Sequence, residues 1–239
     1  SPQNRTDLKK IYYTVLNAGK KELSFYCAEE YTSWPEDIKQ LANDQQTLST
    51  INNFVHPFNG FKHIETSYDE YGEVTINVTP TYSSSDIKVI ETKVEEIEEE
   101  IWSEDMSVEE KIKEVHNYII NNSKYDKKRS DEKIVEYKSD TAYGTLLQGY
   151  SLCGGYTDAM ALFLEDLHVK NYKISSENHV WNAVNLNESW YHLDLTWDDP
   201  ITTDGSDVLE YNFFLITSEE LEEIEDEQHN YNKEIYSEL

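Results

Sequence analysis

From residue 87 onward, apolar positions recur at alternating spacings of three and four: Ile87, Ile90, Val94, Ile97 and Ile101. That spacing draws one stripe along a helix whose other faces carry the Glu-rich run 91–100. A second helix is predicted after Ser107-Val108-Glu109-Glu110, which fits a capping box, with Ile112, Val115 and Ile119 as its buried face. Upstream the signals are mixed. Residues 23–27 read as a strand and 36–53 as a helix, while Val74, Ile76 and Val78 alternate behind a turn at 70–72 and read as a hairpin strand. A polar, Ser-rich stretch at 82–86 separates the two regimes. The expected organisation is therefore an N-terminal α/β extension over 1–83 and a second domain over 84–239. Residues 123–140 are polar and charged and read as a loop.

Past that loop, Ala159, Leu162, Phe163 and Leu167 recur with helical period, so Cys153-Gly154-Gly155 stands at the start of a helix. A thiol in that position faces unpaired N–H groups and the positive end of the helix dipole, both of which favour the thiolate. The two glycines allow backbone or substrate to come close, and the same N–H groups can stabilise an oxyanion. The competing reading is an inert core cysteine, since free cysteine is among the most buried residue types. That reading is the one expected for Cys27, which lies within an apolar strand without such a context.

Downstream, 179–186 and 189–196 are two runs rich in β-formers, joined by Asn187-Glu188. If those two residues form the turn, paired positions sum to 375, Asp194 faces Trp181, and His179 is its diagonal neighbour on the same face. Diagonal neighbours lie roughly 7–8 Å apart at Cα, within reach of an imidazole and a carboxylate. A carboxylate on one imidazole nitrogen fixes the tautomer, and the other nitrogen is then free to take a proton from a thiol. The alternative is a surface His–Asp contact without function. His192 is assigned to the side away from Asp194, which counts against a metal site of His179, His192 and Asp194. His56 and His63 flank Pro57 and Gly60 without a matched ligand spacing, so no metal is expected there either.

Charge and composition narrow the partners. The 239 residues include 20 Lys and Arg against 48 Asp and Glu, a formal charge of −28 that disfavours nucleic acid and bare anionic membranes. Aromatic residues at 13% argue against disorder. No run approaches the ~20 apolar residues of a membrane span. Two cysteines make neither a disulfide framework nor a CxxC metal motif. The start at Ser1 reads as a processed end, from which an extracellular or surface-attached setting is the expectation.

With these residues in view, Cys153-Gly-Gly-Tyr156 resembles the C-x-G-Y motif of bacterial transglutaminase-like domains. His179-Val-Trp-Asn182 looks like their H-x-W-N motif, and the nine residues from His192 to Pro200 are similar to their H-x-D-x-T-W-D-D-P segment. The helix at 111–125 and the strand at 211–215 resemble the elements that flank that core, so the resemblance covers roughly 84–230. It implies an α+β, papain-like fold in which a helix bearing the cysteine packs on an antiparallel sheet bearing the other two residues. By the same resemblance Cys153 is the nucleophile, His179 the general base and Asp194 the orienting acid. The activity implied is acyl transfer on peptide-like amides through a thioester, resolved by water in a peptidase or deamidase or by an amine in cross-linking, with no cofactor and a protein or peptide as substrate. Gln148 is a candidate oxyanion donor by analogy with papain-like enzymes, and Trp181, Tyr156 and Trp197 are candidates to line the cleft. The alternative function is a non-catalytic interaction module built on the same fold.

Overall fold

A computed structural model describes residues 1–204, 206–224 and 226–239. The chain divides into two compact units, Ser1–Ser84 and Ser85–Leu239.

The first unit runs α1 (Arg5–Asn17), β1 (Glu22–Tyr26), α2 (Trp34–Asn43), α3 (Gln45–Asn52), β2 (Phe61–Tyr68) and β3 (Glu73–Pro80). Its three strands form an antiparallel sheet in the order β1-β3-β2. Leu8, Tyr12, Val15 and Leu16 of α1 are buried in one cluster with Ile38, Leu41, Leu48, Val74 and Ile76. The segment 36–53, expected as one helix, is two. Asp44 interrupts it and accepts a hydrogen bond from the Thr47 backbone at 3.0 Å, capping α3, because a short carboxylate side chain competes for backbone donors where a helix can restart. His56 caps the short turn Pro57–Asn59 through Nδ1. Cys27 is a free, partly buried thiol packed against this core, and burial pushes its titration upward.

The second unit opens with α4 (Ser84–Ile101) and α5 (Val108–Asn122). The Ser107–Glu110 capping box is formed in both directions, and Ile90, Val94, Ile97, Ile112, Val115 and Ile119 are buried along the predicted stripes. Where a loop was expected there are β4 (Lys124–Tyr125) and α6 (Lys127–Glu132). The reason lies in polar capping rather than in periodicity: buried Asp126 accepts from the Arg129 backbone at 3.1 Å and from Ser139 Oγ at 2.7 Å. A π-helical turn (Gly144–Gln148) and β5 (Tyr150–Ser151), paired in parallel with β4, lead into α7 (Cys153–Asp166). Then come β6 (Asn171–Ser175), β7 (Val180–Leu186), β8 (Ser189–Leu193), α8 (Leu195–Asp198), β9 (Phe214–Ile216) and α9 (Ser218–Glu223). The four strands β6 to β9 form one antiparallel sheet in sequence order. The unit is α+β, with the cysteine-bearing helix joined to the sheet.

Two hydrogen bonds lock that helix in place. Asn182 of β7, buried, donates to the Thr157 carbonyl at 3.0 Å, and the Thr157 hydroxyl donates to Val180 O at 3.1 Å. The odd-numbered positions of β7 serve the other face, where Trp181 and Ala183 join a cluster with Phe213, Leu221 and Tyr236.

Gly155, two residues after Cys153, is closely approached by backbone. A Cβ on Gly155 would come within 2.4 Å of Ser139 O, 2.6 Å of Thr145 Oγ1 and 2.7 Å of Ser151 Oγ. The segment it would displace is anchored by Leu152 N donating to Ser139 O at 2.6 Å. Gly155→Ala is therefore expected to destabilise the protein by about 1–3 kcal/mol through overpacking, read as a lowered midpoint in urea unfolding; an unchanged midpoint would show that the neighbouring segment yields freely.

Candidate active site

Cys153 is the first residue of α7, and no side chain caps that helix at Leu152. The N–H groups of its first turn lack intrahelical partners, as at any helix start. His179 immediately precedes β7, and Asp194 immediately follows β8. The hairpin between them has the register in which positions sum to 375, from Asn182 opposite Leu193 to Leu186 opposite Ser189. Asn187 and Glu188 both take positive φ, 51° and 66°, the conformation a two-residue turn needs to follow the strand twist.

His179 Nε2 lies 2.6 Å from Asp194 Oδ2, and both residues are buried. Asp194 is unusually well served with donors. Its Oδ1 accepts from the backbone of Thr196 at 3.0 Å and of Trp197 at 3.3 Å, and its Oδ2 also meets His229 Nε2 at 2.7 Å. Burial alone would push this carboxyl upward, but the hydrogen bonds from His179 and His229 overcome it and hold Asp194 at about 2. For His179 burial favours the neutral ring. Hydrogen bonds with Asp194 and with Cys153 outweigh it and raise the imidazole to about 10. Since Nε2 is occupied by Asp194, Nδ1 is the nitrogen left for the thiol. Trp181 stacks on the His179 ring at 5.6 Å and 19°.

Cys153 and His179 share a cavity of about 480 Å³, also lined by Tyr125, Asn178, Trp197 and Asp199. That is the size of a small ligand or of a peptide side chain and its flanking amides. Asp199 is held by the Tyr156 hydroxyl, and burial, partly offset by that hydrogen bond, raises its carboxyl to about 6.

The auxiliary residues divide. Trp197 lines the cavity. Trp181 lies fully buried, beneath the histidine rather than in the cleft, and Tyr156 is buried as well, reaching the cavity only through its bond to Asp199. Gln148 turns its amide oxygen to the Lys138 backbone at 2.8 Å and is not among the residues lining the cavity. His192 does not point away from Asp194. Residues two apart on a strand share a face, and His192 Nδ1 accepts from Trp181 Nε1 at 3.0 Å on the side of the sheet where Trp181 meets His179 and His229. Its Nε2 then carries the proton and donates to Ser218 Oγ at 3.0 Å.

His192 is thus held neutral, and burial together with the charge of His229 lowers it from 6.5 to about 4. The unfolded chain binds more protons than the folded one between these values, so His192 withdraws stability as pH falls through that window, by about 3 kcal/mol. His192→Gln is expected to flatten the loss of stability between pH 6.5 and 4 in urea unfolding; equal slopes in variant and wild type would contradict a neutral, bonded His192.

Among the described residues, His179, Asp194 and His229 bring three ligand-type atoms within 4.8 Å of one another. The separations of 2.6 and 2.7 Å between nitrogen and oxygen are those of shared protons. Ligands at ~2.0–2.2 Å around a tetrahedral metal would stand roughly 3.3 Å apart, so the cluster as built holds protons.

His229 and Asp226 had no signal in the sequence. They lie in an acidic tail with no motif spacing, and only the fold brings them to Asp194, 35 positions away.

Residues 95–195 match the model of the transglutaminase-like superfamily, a span that includes Cys153, His179 and Asp194 and ends before His229. Among solved structures, a crystal structure of a TGase shares 15% identity with this chain, with a TM-score of 0.39, covering 65% of this chain and 47% of that one. The chain thus spans about half the length of that protein. No curated protein matches it. No helix among the described residues is long and apolar enough to cross a membrane.

Proposed function

The chain carries a transglutaminase-like domain, and from that premise we propose that it performs cysteine-based acyl transfer on amides of a protein or peptide, with Cys153, His179 and Asp194 as its triad. The observation that carries this reading is a chain of contacts that opens on one cavity: Cys153 and His179 both line it, and His179 is in turn bonded at 2.6 Å to Asp194, which is buried behind it and ionised.

Each step follows from that arrangement. His179 takes the thiol proton as the Cys153 sulfur attacks the amide carbon. The carbonyl oxygen, negative in the tetrahedral intermediate, faces the N–H groups at the start of α7. When the C–N bond breaks, His179 gives its proton to the departing amine and a thioester remains on Cys153. Water or a second amine then loses a proton to His179, attacks the thioester carbon, and releases the thiolate. Asp194 is never protonated in this cycle; it orients the ring and stabilises the imidazolium. Hydrolysis is the favoured outcome, since the fold alone does not make a cross-linking enzyme.

The test is direct. The protein is incubated with a peptide mixture rich in Gln and Asn amides, with and without a primary amine, against a Cys153→Ala control. Mass spectrometry is expected to find hydrolysed or amine-linked products and an acyl adduct on Cys153 in the wild type only. Products formed equally by the control would remove Cys153 from the reaction.

A further inference from the structure

The C-terminal segment supplies a second histidine to the site. His229 is buried, and both of its ring nitrogens meet carboxylates: Nε2 lies 2.7 Å from Asp194 Oδ2 and Nδ1 lies 2.7 Å from Asp226 Oδ2. An ionised carboxylate only accepts hydrogen bonds. With both carboxylates ionised, both contacts are hydrogen bonds only when each ring nitrogen carries a proton. One face of the ring suits a cation too: Phe213 stacks on it at 4.8 Å and 18°, while Trp181 and Trp197 pack against it at 4.8 and 5.1 Å.

We propose that His229 is a positioning residue for acyl transfer: a standing cation that shares Asp194 with His179, holds that carboxylate ionised, and tempers its pull on the His179 proton. The proposal rests on the triad reading. Its logic is electrostatic. A buried carboxylate facing His179 alone would bind the imidazolium proton so tightly that the ring would be a poor donor to the leaving amine. A second imidazolium on the same oxygen weakens that hold while keeping Asp194 charged. Among the described residues, the titratable groups facing His229 are Asp226 on its own segment, Asp194 at the head of α8, His179 with ring centroids 5.2 Å away, and His192 from β8, whose neutral form the His229 charge favours.

The signature is a pH profile. Iodoacetamide labelling of Cys153 is followed from pH 5 to 11 in the wild type, His229→Gln and Asp226→Asn. The inflection at which His179 loses its proton is expected to move up by about one pH unit in His229→Gln, as expected when one charge a few ångströms away is removed. In Asp226→Asn, which weakens the cation without removing the ring, it moves in the same direction by less. Nitrogen NMR of ¹⁵N-histidine-labelled wild type is expected to show both ring nitrogens of His229 protonated at pH 7. A slower reaction with an unmoved inflection, or a singly protonated His229, would overturn the proposal. Should His229→Gln fail to fold, Asp226→Asn and the NMR state still decide. If wild-type Cys153 itself labels slowly, it is the triad reading that falls, while the NMR result still reports on the His229 cation.

Discussion

His179→Ala is expected to slow acylation of Cys153 by about 10³–10⁴-fold while leaving the labelling of Cys27 unchanged. On the proposed reading the thiol gives its proton to this ring and the leaving amine takes it back, so one substitution would remove both transfers. A smaller residue there also uncovers Trp181, which stacks on the ring. Urea unfolding therefore has to accompany the kinetics: a rate loss in a protein whose midpoint shifts only slightly is the expected outcome. A tenfold effect or less would mean that the proton goes elsewhere. The comparison with Cys27 is internal to each sample, because both thiols are free and partly accessible in the same chain.

The second large effect is expected from Asp194→Asn: about 10⁴-fold lower turnover together with about 3–5 kcal/mol of lost stability. The native carboxylate accepts four hydrogen bonds, two on Oδ1 from the start of α8 and two on Oδ2 from His179 and His229. An amide has one oxygen. With that oxygen toward α8, its NH₂ meets two N–H donors; with the amide flipped, α8 loses its cap. Either way a buried histidine keeps a proton without its counter-charge. The paired readout is distinctive, since a residue with a catalytic role alone would lower turnover and spare the unfolding midpoint. Stability carried by Asp194 is present at neutral pH and is lost as pH falls through its folded value of about 2, far below the ordinary carboxylate range. The contribution of His179 runs the other way, present below its unfolded value and lost as pH rises through about 10.

Much of this site was legible because its spacing obeys strand and helix periods. A two-residue link between β-rich runs fixed the hairpin register, and that register alone brought His179 and Asp194 to one face. Glycines behind Cys153 announced a close backbone approach, which turned out to be the carbonyl of Ser139. The misreadings have equally physical causes. His192 was sent to the wrong face although strand period two keeps it beside Asp194. The helix at 36–53 was read through Asp44 because its apolar spacing continues across a residue that caps a new helix. Residues 123–140 looked like a loop because their order comes from buried polar bonds at Asp126 and Ser139, which leave no hydrophobic pattern. His229 belongs to the same class: a polar tail gives no periodic signal, and its partner lies 35 positions upstream. Contacts made by packing between distant segments are written in the fold, and only those made through local period are written in the sequence.

The most direct test of the triad is alkylation of the native protein by iodoacetamide from pH 5 to 9, with mass spectrometry reporting Cys153 and Cys27 separately. Rapid labelling of Cys153 below pH 7 is expected, slowed in His179→Ala, beside a Cys27 that reacts slowly and only as pH rises, as its upward-shifted titration requires. Labelling of Cys153 no faster than an ordinary thiol with a pKa of about 8.5, or indifferent to the loss of His179, would contradict the triad reading.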